Sequence, residues 1–358
     1  MTKHQKVAIV EPFYSGSHKY WVDSLKKYFS TDIQTFTLPG RHWKWRMTAG
    51  FIELAEQVNQ HNQFDVFLVS DMLDVLSFKA FLNPGHQSTS IVLYMHENQV
   101  VYPFRTPEGE KHRDRHYGFI NYKSVLCADK VLFNSQFHFD SFFDEMEKFL
   151  FPFPDSKPLI RRLQEAKPKC SVQYLGIELN ELNRFKTAKN RVPTILWNHR
   201  WEHDKNPELF FKTLMRLSLE GFDFQLIVCG EQYEKAPAIF EEARTILAKH
   251  IVHWGYFDSR EDYTKALWQS TILPVTSNQE FFGLSVLEAS ACHVLPILPN
   301  RLSYPELYQG IGVFYNSDEE FYEFLKSAIE KNEVPDFGVF AERFDWEGKE
   351  GTILTPVG

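Results

Sequence analysis

The sequence is poor in cysteine. Four occur among 358 residues, Cys127, Cys170, Cys229 and Cys292, far apart and without metal-ligand or redox spacing. That excludes a disulfide framework, and the four read as reduced, mostly buried thiols of a cytoplasmic protein. No stretch approaches the roughly 20 apolar residues that span a bilayer. The opening MTKHQKVAIVEPF runs straight into a strand pattern without the apolar segment of a signal peptide. A soluble protein with no membrane partner is therefore expected. A general excess of positive charge is also missing. The net charge of −8 argues against a uniformly basic nucleic-acid binder, although a local basic patch is compatible with it. Short repeats and low-complexity tracts are absent.

What is present is the balance of a globular chain with a real core, 43% hydrophobic and 24% charged. Its length suits two domains. The 33 Phe, 15 Tyr and 8 Trp have two readings, core packing or stacking on sugar rings and bases.

Short apolar runs alternate with helical patterns. Residues 6–10, 65–70, 90–95, 130–135 and 171–176 read as strands of one sheet, and 194–198, 224–230, 251–256, 271–276 and 294–299 as strands of a second. Helical patterns at 51–60, 137–150, 207–221, 238–250 and 261–270 separate them. Strands apolar on both faces and spaced by helices imply parallel sheets covered by helices. The expected fold is α/β, two doubly wound, Rossmann-like domains facing a cleft. Polar residues 177–193 place the boundary, giving an acceptor-side domain over 1–185 and a nucleotide-sugar domain over 186–358. The final FDWEGKEGTILTPVG, with its Gly and Pro, reads as a loose tail of the second domain.

Two segments of the second half carry chemistry. In NHRWEHDKNPELF (198–210), Arg200 and Lys205 follow a strand end and precede a helix opened by Pro207. Two cations there suit a diphosphate, Arg as a fork and Lys as a point charge; solvated loop residues are the bland alternative. In NQEFFGLSVLEASA (278–291), Glu280 and Glu288 have seven residues between them. Phe282, Gly283 and Leu284 mark a helix start whose free N–H groups suit phosphate. Glu280 is placed to meet a sugar and Glu288 to accept from ribose hydroxyls, although acidic residues near a helix start also simply suit its dipole.

In the first half, EPFYSGSHKYW (11–21) offers Gly16 for a tight turn, with Ser17 and His18 beside it. YMHENQ (94–99) places His96, Glu97 and Asn98 at a strand's carboxyl end, where doubly wound sheets bind ligands. A structural histidine competes evenly with a functional one there. Arg41, His42, Trp43, Lys44, Trp45 and Arg46 interleave cations with aromatics, which suits phosphates and stacked bases, and Lys111, His112, Arg113, Asp114, Arg115 and His116 make a second basic stretch. Against that, such runs are usually solvated faces, and the two tryptophans equally suit a core. The pairs His112/His116 and His199/His203 have i,i+4 spacing but lack a third zinc ligand.

The second-half motifs resemble the retaining glycosyltransferases of family four, which have the GT-B fold. The resemblance implies that Arg200 and Lys205 bind the donor diphosphate, that Glu280 and Glu288 are the family's paired glutamates, that Gly230 in VCGE ends a site strand, and that a base packs by Tyr256 in HWGYF. His293 stands where that family usually has glycine. The phrases EPFYSGSHKYW, TLPGRHWKWRM and YMHENQ resemble the tRNA-queuosine α-mannosyltransferase family over essentially the whole chain. This implies GDP-mannose as donor and the cyclopentene-diol of queuosine, at the wobble position of tRNA, as acceptor. Retaining transfer would then use Arg200, Lys205 and the amides near Gly283 against the departing phosphate, Glu280 to orient the sugar, and His96 to position sugar or acceptor. No metal or other cofactor is required if the two cations supply the charge. A small-molecule or glycan acceptor, and a non-catalytic module that only binds tRNA or sugar nucleotide, are the alternatives.

Overall fold

Runs that are apolar on both faces become the central strands of two parallel sheets, because only burial on both sides removes such side chains from water. The computed structural model describes residues 5–101, 115–232 and 236–354. Its first sheet comprises β1 (Lys6–Tyr14), β2 (Asp32–Pro39), β3 (Val66–Ser70), β4 (Ser90–Met95), β5 (Lys130–Phe133) and β6 (Cys170–Val172), in the order β2-β1-β3-β4-β5-β6. The second comprises β7 (Thr194–Trp197), β8 (Gln225–Val228), β9 (Ile251–Trp254), β10 (Ile272–Pro274), β11 (Leu295–Pro299) and β12 (Val313–Tyr315), in the order β12-β11-β10-β7-β8-β9. Every pairing is parallel. Two sheets of this kind with covering helices are the two Rossmann-like halves of the GT-B fold expected from the sequence.

Two strands escape the sequence pattern for a physical reason. β2 is an edge strand whose residues are mostly only half-buried, so it lacks the two-faced apolar signature that marks its neighbours. β12 is a three-residue edge strand. The aromatic excess is largely core. Phe67, Phe78, Phe133, Phe142 and Phe143 fill the first unit, and Trp197, Phe210, Phe211 and Phe240 the second.

The chain divides into residues 1–176 with 346–358, and residues 177–345. The change thus comes at Gly176, earlier than the expected 185/186, and the C-terminal segment joins the first unit instead of trailing from the second. It is not a loose tail over its described part. Trp346 is buried against Gly176, where a Cβ would lie 2.2 Å from the indole. Helix Glu350–Leu354 buries Ile353 and Leu354. The Glu350 carboxylate accepts from the backbone N–H groups of Ser30 (3.2 Å) and Thr31 (2.9 Å) and from both hydroxyls. Lys130 Nζ donates to the Thr352 carbonyl at 2.8 Å. Apolar burial and a carboxylate clamp outweigh the flexibility of Gly348 and Gly351.

Candidate active site

In the second unit the site is built at the carboxyl ends of β7, β8 and β10. The loop after β7 carries Asn198, His199 and Arg200, then a short 3-10 turn (His203–Lys205) before helix Pro207–Leu219. Gly230, just past β8, is required by close approach. A Cβ there would lie 2.1 Å from the His199 carbonyl oxygen, and its φ is 112°. Lys205 is buried; its ammonium donates to the Gln279 carbonyl (3.0 Å) and pairs with Glu280 and Asp204 at 3.2 Å each. Burial works against charge on Lys205, but Glu280 and Asp204 more than offset it and raise the ammonium pKa. Burial likewise resists ionisation of Glu280, yet Lys205 holds its carboxyl below the usual carboxylate range. Arg200 is 42% exposed and pairs with Glu202 at 3.3 Å, and its charge reaches Lys205. The loop therefore brings Arg200, Lys205 and Glu280 into one electrostatic neighbourhood.

Helix Leu284–Ala291 begins at Gly283, whose φ of 83° supplies the left-handed N-cap. Leu284 and Ser285 are half-buried at its start. Phe282 packs its ring inward, 6.0 Å from Phe344, which leaves only its backbone for a ligand. Glu288 is buried in the helix, paired with Arg260 and 3.4 Å from the Tyr263 hydroxyl. Arg260 opens helix Arg260–Gln269, whose first turn is capped by Ser259. A cavity of about 320 Å³ is lined by Asn198, Gly230, Tyr256, Phe257, Arg260 and Tyr263, among others. Tyr256 is 64% exposed, while Phe257 stacks on His253 with ring centroids 3.7 Å apart. His293 takes a φ of 58°, so the left-handed turn persists without glycine. His199 is buried and His203 exposed, which leaves that pair no shared ligand position.

The first unit carries a second polar cluster at the ends of β1, β3, β4 and β5. Gly16, with a φ of 50°, and exposed Ser17 start helix Gly16–Tyr28. Its next residue, His18, is buried with Nδ1 2.9 Å from Glu11 Oε2. His18 lies 4.3 Å from the His96 ring centroid, and Trp21 and Tyr94 pack on His96 at 4.9 and 4.8 Å. The His96 N–H donates to Asp71 Oδ1 at 2.7 Å, and Asn134 Nδ2 donates to the His96 carbonyl at 2.8 Å. Asp71 Oδ2 and His96 Nε2 are buried without a hydrogen-bond partner among the described residues. Burial disfavours a charged His18, but Glu11, Asp71 and Glu97 push it up to about 9. Burial, partly countered by His18, pushes Asp71 up to about 8. Burial together with His18 and His138 lowers His96 far below the usual range, keeping it neutral. Glu97 accepts from Gln99 at 2.9 Å. Asn98 turns its Oδ1 to the N–H groups of Val100 and Val101, a local structural role.

Glu11, His18 and His96 present ligand-type atoms all within 4.8 Å of one another, the one such group among the described residues. A metal there would have to displace the proton shared by His18 and Glu11. The basic-aromatic stretch opens helix Trp43–Asn59. Trp43 and Trp45 are 37% and 63% exposed, so neither belongs to the core. Arg41, His42 and Lys44 are exposed and Arg46 half-buried, its Nε donating to the Pro39 carbonyl at 3.2 Å. Arg115 is exposed. Arg113, with Lys111 and His112, lies outside the described residues. Sequence reasoning missed Asp71, Asn134 and Arg260. The first two follow strand ends, which was a usable signal; no local pattern marks Arg260.

Paired Rossmann-like units, with cations and glutamates assembled at strand ends of the second, define a glycosyltransferase of the GT-B class. Residues 180–336 match the family model for glycosyl transferases group 1, and residues 6–177 that for the tRNA-queuosine alpha-mannosyltransferase N-terminal region. The chain is 36% identical over 323 residues to the tRNA-queuosine alpha-mannosyltransferase of Drosophila melanogaster, covering 87% of this chain and 84% of that one. The chain belongs to the tRNA-queuosine alpha-mannosyltransferase family. Among solved structures, the fold resembles sucrose-phosphate synthase from Thermosynechococcus elongatus (TM-score 0.67, 13% identity, 96% and 95% coverage). It also resembles Anabaena HepE in complex with UDP and glucose (TM-score 0.66, 13% identity, 96% of each chain). No helix among the described residues is long and apolar enough to cross a membrane.

Proposed function

We propose that this protein transfers mannose from GDP-mannose to the cyclopentene-diol of queuosine in tRNA, with retention at the anomeric carbon. The observation that carries the reading is the match of the entire first unit's main segment to the tRNA-queuosine alpha-mannosyltransferase N-terminal model. In the second unit, Arg200 and Lys205 face the diphosphate, the amides at Gly283–Ser285 add donors, and Glu288 receives the ribose hydroxyls. The base enters the cavity by Tyr256 and Phe257. The anomeric carbon–phosphate oxygen bond breaks, the acceptor oxygen bonds to that carbon on the same face, and its proton passes to the departing phosphate. GDP and the mannosylated nucleoside result. Positive charge fixed before reaction is the usual largest catalytic term, and Lys205 is held rigidly cationic by Glu280 and Asp204.

Arg200 and Lys205 supply the positive charge in this scheme without a metal. Neutral His96, with its buried Nε2 unpartnered, exchanges hydrogen bonds with a sugar or acceptor hydroxyl. The test is incubation with GDP-mannose and queuosine-containing tRNA, then mass analysis of the nucleosides, with UDP-glucose and UDP-galactose in parallel. A hexose-sized gain on queuosine with GDP-mannose alone is expected. No gain with any donor overturns the acceptor, and a gain with a UDP-sugar instead overturns the donor.

A further inference from the structure

Tryptophan is seldom left in water, since its large apolar face is worth burying. Trp45 nevertheless stands 63% exposed and Trp43 37% exposed on the first turn of helix Trp43–Asn59. They are not alone. Trp43 lies 5.0 Å from Tyr117, at the start of helix His116–Cys127, and Lys44 Nζ sits over both rings at 5.7 and 5.8 Å. Arg115, the residue before that helix, holds its guanidinium 5.2 Å from the Phe153 ring. Two helix starts, far apart in sequence, thus present aromatic faces interleaved with cations.

The charges that these two segments contribute have one sign. In a chain of net charge −8, no acidic residue occurs from Leu38 to Ile52 or from Arg115 to Ala128. The surface is also continuous with the buried polar cluster. Tyr117, on which Trp43 packs, and Phe13 both pack against the buried Met47, Met72 and Ile120, and the Phe13 ring is 6.1 Å from His18. Gly40 holds the two motifs together. A Cβ there would lie 2.0 Å from the Ser15 Cβ, so only glycine lets the basic loop cross the turn before helix Gly16–Tyr28.

We infer that Trp43, Lys44, Trp45, Arg115 and Tyr117 form a platform that seats the single-stranded RNA nucleotides flanking the acceptor nucleoside, by base stacking and phosphate contact. This rests on tRNA being the acceptor. Exposed aromatic planes bind any base through its π-face, and lysine and arginine between them neutralise the linking phosphates. Such a surface reads unpaired loop bases and not a duplex, whose bases are already stacked.

The experiment uses the full chain and an anticodon stem-loop RNA with guanosine at the wobble position, which can bind but cannot accept sugar. Affinity is read by fluorescence anisotropy across a salt series. Trp45→Ala is expected to weaken binding about 5- to 150-fold, the equivalent of ~1–3 kcal/mol for one stacked base. Trp45→Phe restores most of that loss. Lys44→Ala and Arg115→Ala each lower the slope of log affinity against log salt by about one. Melting temperatures of the variants show that each folds. If wild type binds the stem-loop and all variants match it in affinity and salt slope, the platform is overturned and the tryptophans belong to a protein contact. If wild type neither binds the stem-loop nor mannosylates queuosine-containing tRNA, the acceptor reading falls, and the platform with it. Transfer to tRNA by wild type, with unaltered RNA binding by the variants, sinks the platform alone.

Discussion

Lys205 and His96 are both buried polar side chains placed by the carboxyl ends of parallel strands, yet their surroundings differ. Around Lys205 the charges are matched in advance: Glu280 and Asp204 hold the ammonium, and Arg260 holds Glu288. Around His96 no ion pair holds the imidazole, which burial keeps neutral; His96 Nε2, Asp71 Oδ2 and Ser70 Oγ are buried without a partner among the described residues, as Asn198 Oδ1, His199 Nε2 and Gln279 Nε2 are beside Lys205. An unmet buried polar group costs about 1–3 kcal/mol. Both neighbourhoods carry that cost, and what separates them is charge: two carboxylates balance a buried ammonium in the second unit, whereas the first holds a neutral imidazole beside a carboxyl whose pKa burial raises.

The sharpest way to break this contrast separates the two cations of the second unit. Lys205→Ala should lower kcat/KM about 10²- to 10³-fold, the usual cost of one preorganised electrostatic donor. It should also lower the melting temperature, because Glu280 and Asp204, both largely shielded from water, lose their cation. Arg200→Ala should cost similar activity but leave the melting temperature in place, since its guanidinium is 42% exposed. Equal melting losses for the two variants would show that the pairing is not what distinguishes them.

The first unit makes a pH prediction of intermediate size. The folded state holds a proton on Asp71 up to about 8 and on His18 up to about 9, whereas the unfolded chain releases them at its ordinary values of 3.8 and 6.5. The folded state binds more protons in both windows, so stability falls as pH rises. The fall is steepest from 6.5 to 8, where both groups act, at up to ~1.4 kcal/mol per pH unit for each proton. Burial holds His138 and His199 down to about 3, so stability rises with pH between about 3 and 6.5. A melting curve that peaks near pH 6.5 and declines above it is expected, with Asp71→Asn flattening the decline. A flat profile from 6.5 to 9 would remove the cluster from the comparison.

The smallest effect concerns His293. Glycine there relieves a left-handed backbone at a gain of roughly 1 kcal/mol but loses ring packing on Trp268 and Phe337. His293→Gly should shift stability by less than ~1 kcal/mol, read from denaturant midpoints.

The same contrast decides what the sequence reveals. Lys205, Glu280 and Glu288 sit in two short segments with fixed spacing, so their grouping is legible in the order of residues alone. The cluster around His96, which follows β4, draws Glu11, His18, Asp71 and Asn134 from the ends of β1, β3 and β5, and only the strand order brings them together. Periodicity shows the buried strands but not β2, whose half-exposed face resembles a loop. Exposure of Trp43 and Trp45 was undecidable from composition, because indoles suit a core and a stacking surface equally. The C-terminal clamp was illegible because its partners, the amides and hydroxyls of Ser30 and Thr31, lie about 320 residues from Glu350 in sequence and form no pattern with it.

That clamp also bears on the order of synthesis. Residues 177–345 form an uninterrupted unit, whereas the unit containing Lys6 needs residues 346–354 to cover Gly176 and to satisfy the amides at 30 and 31. During translation, the half that leaves the ribosome first is finished last, and until then it carries an open seam at Gly176.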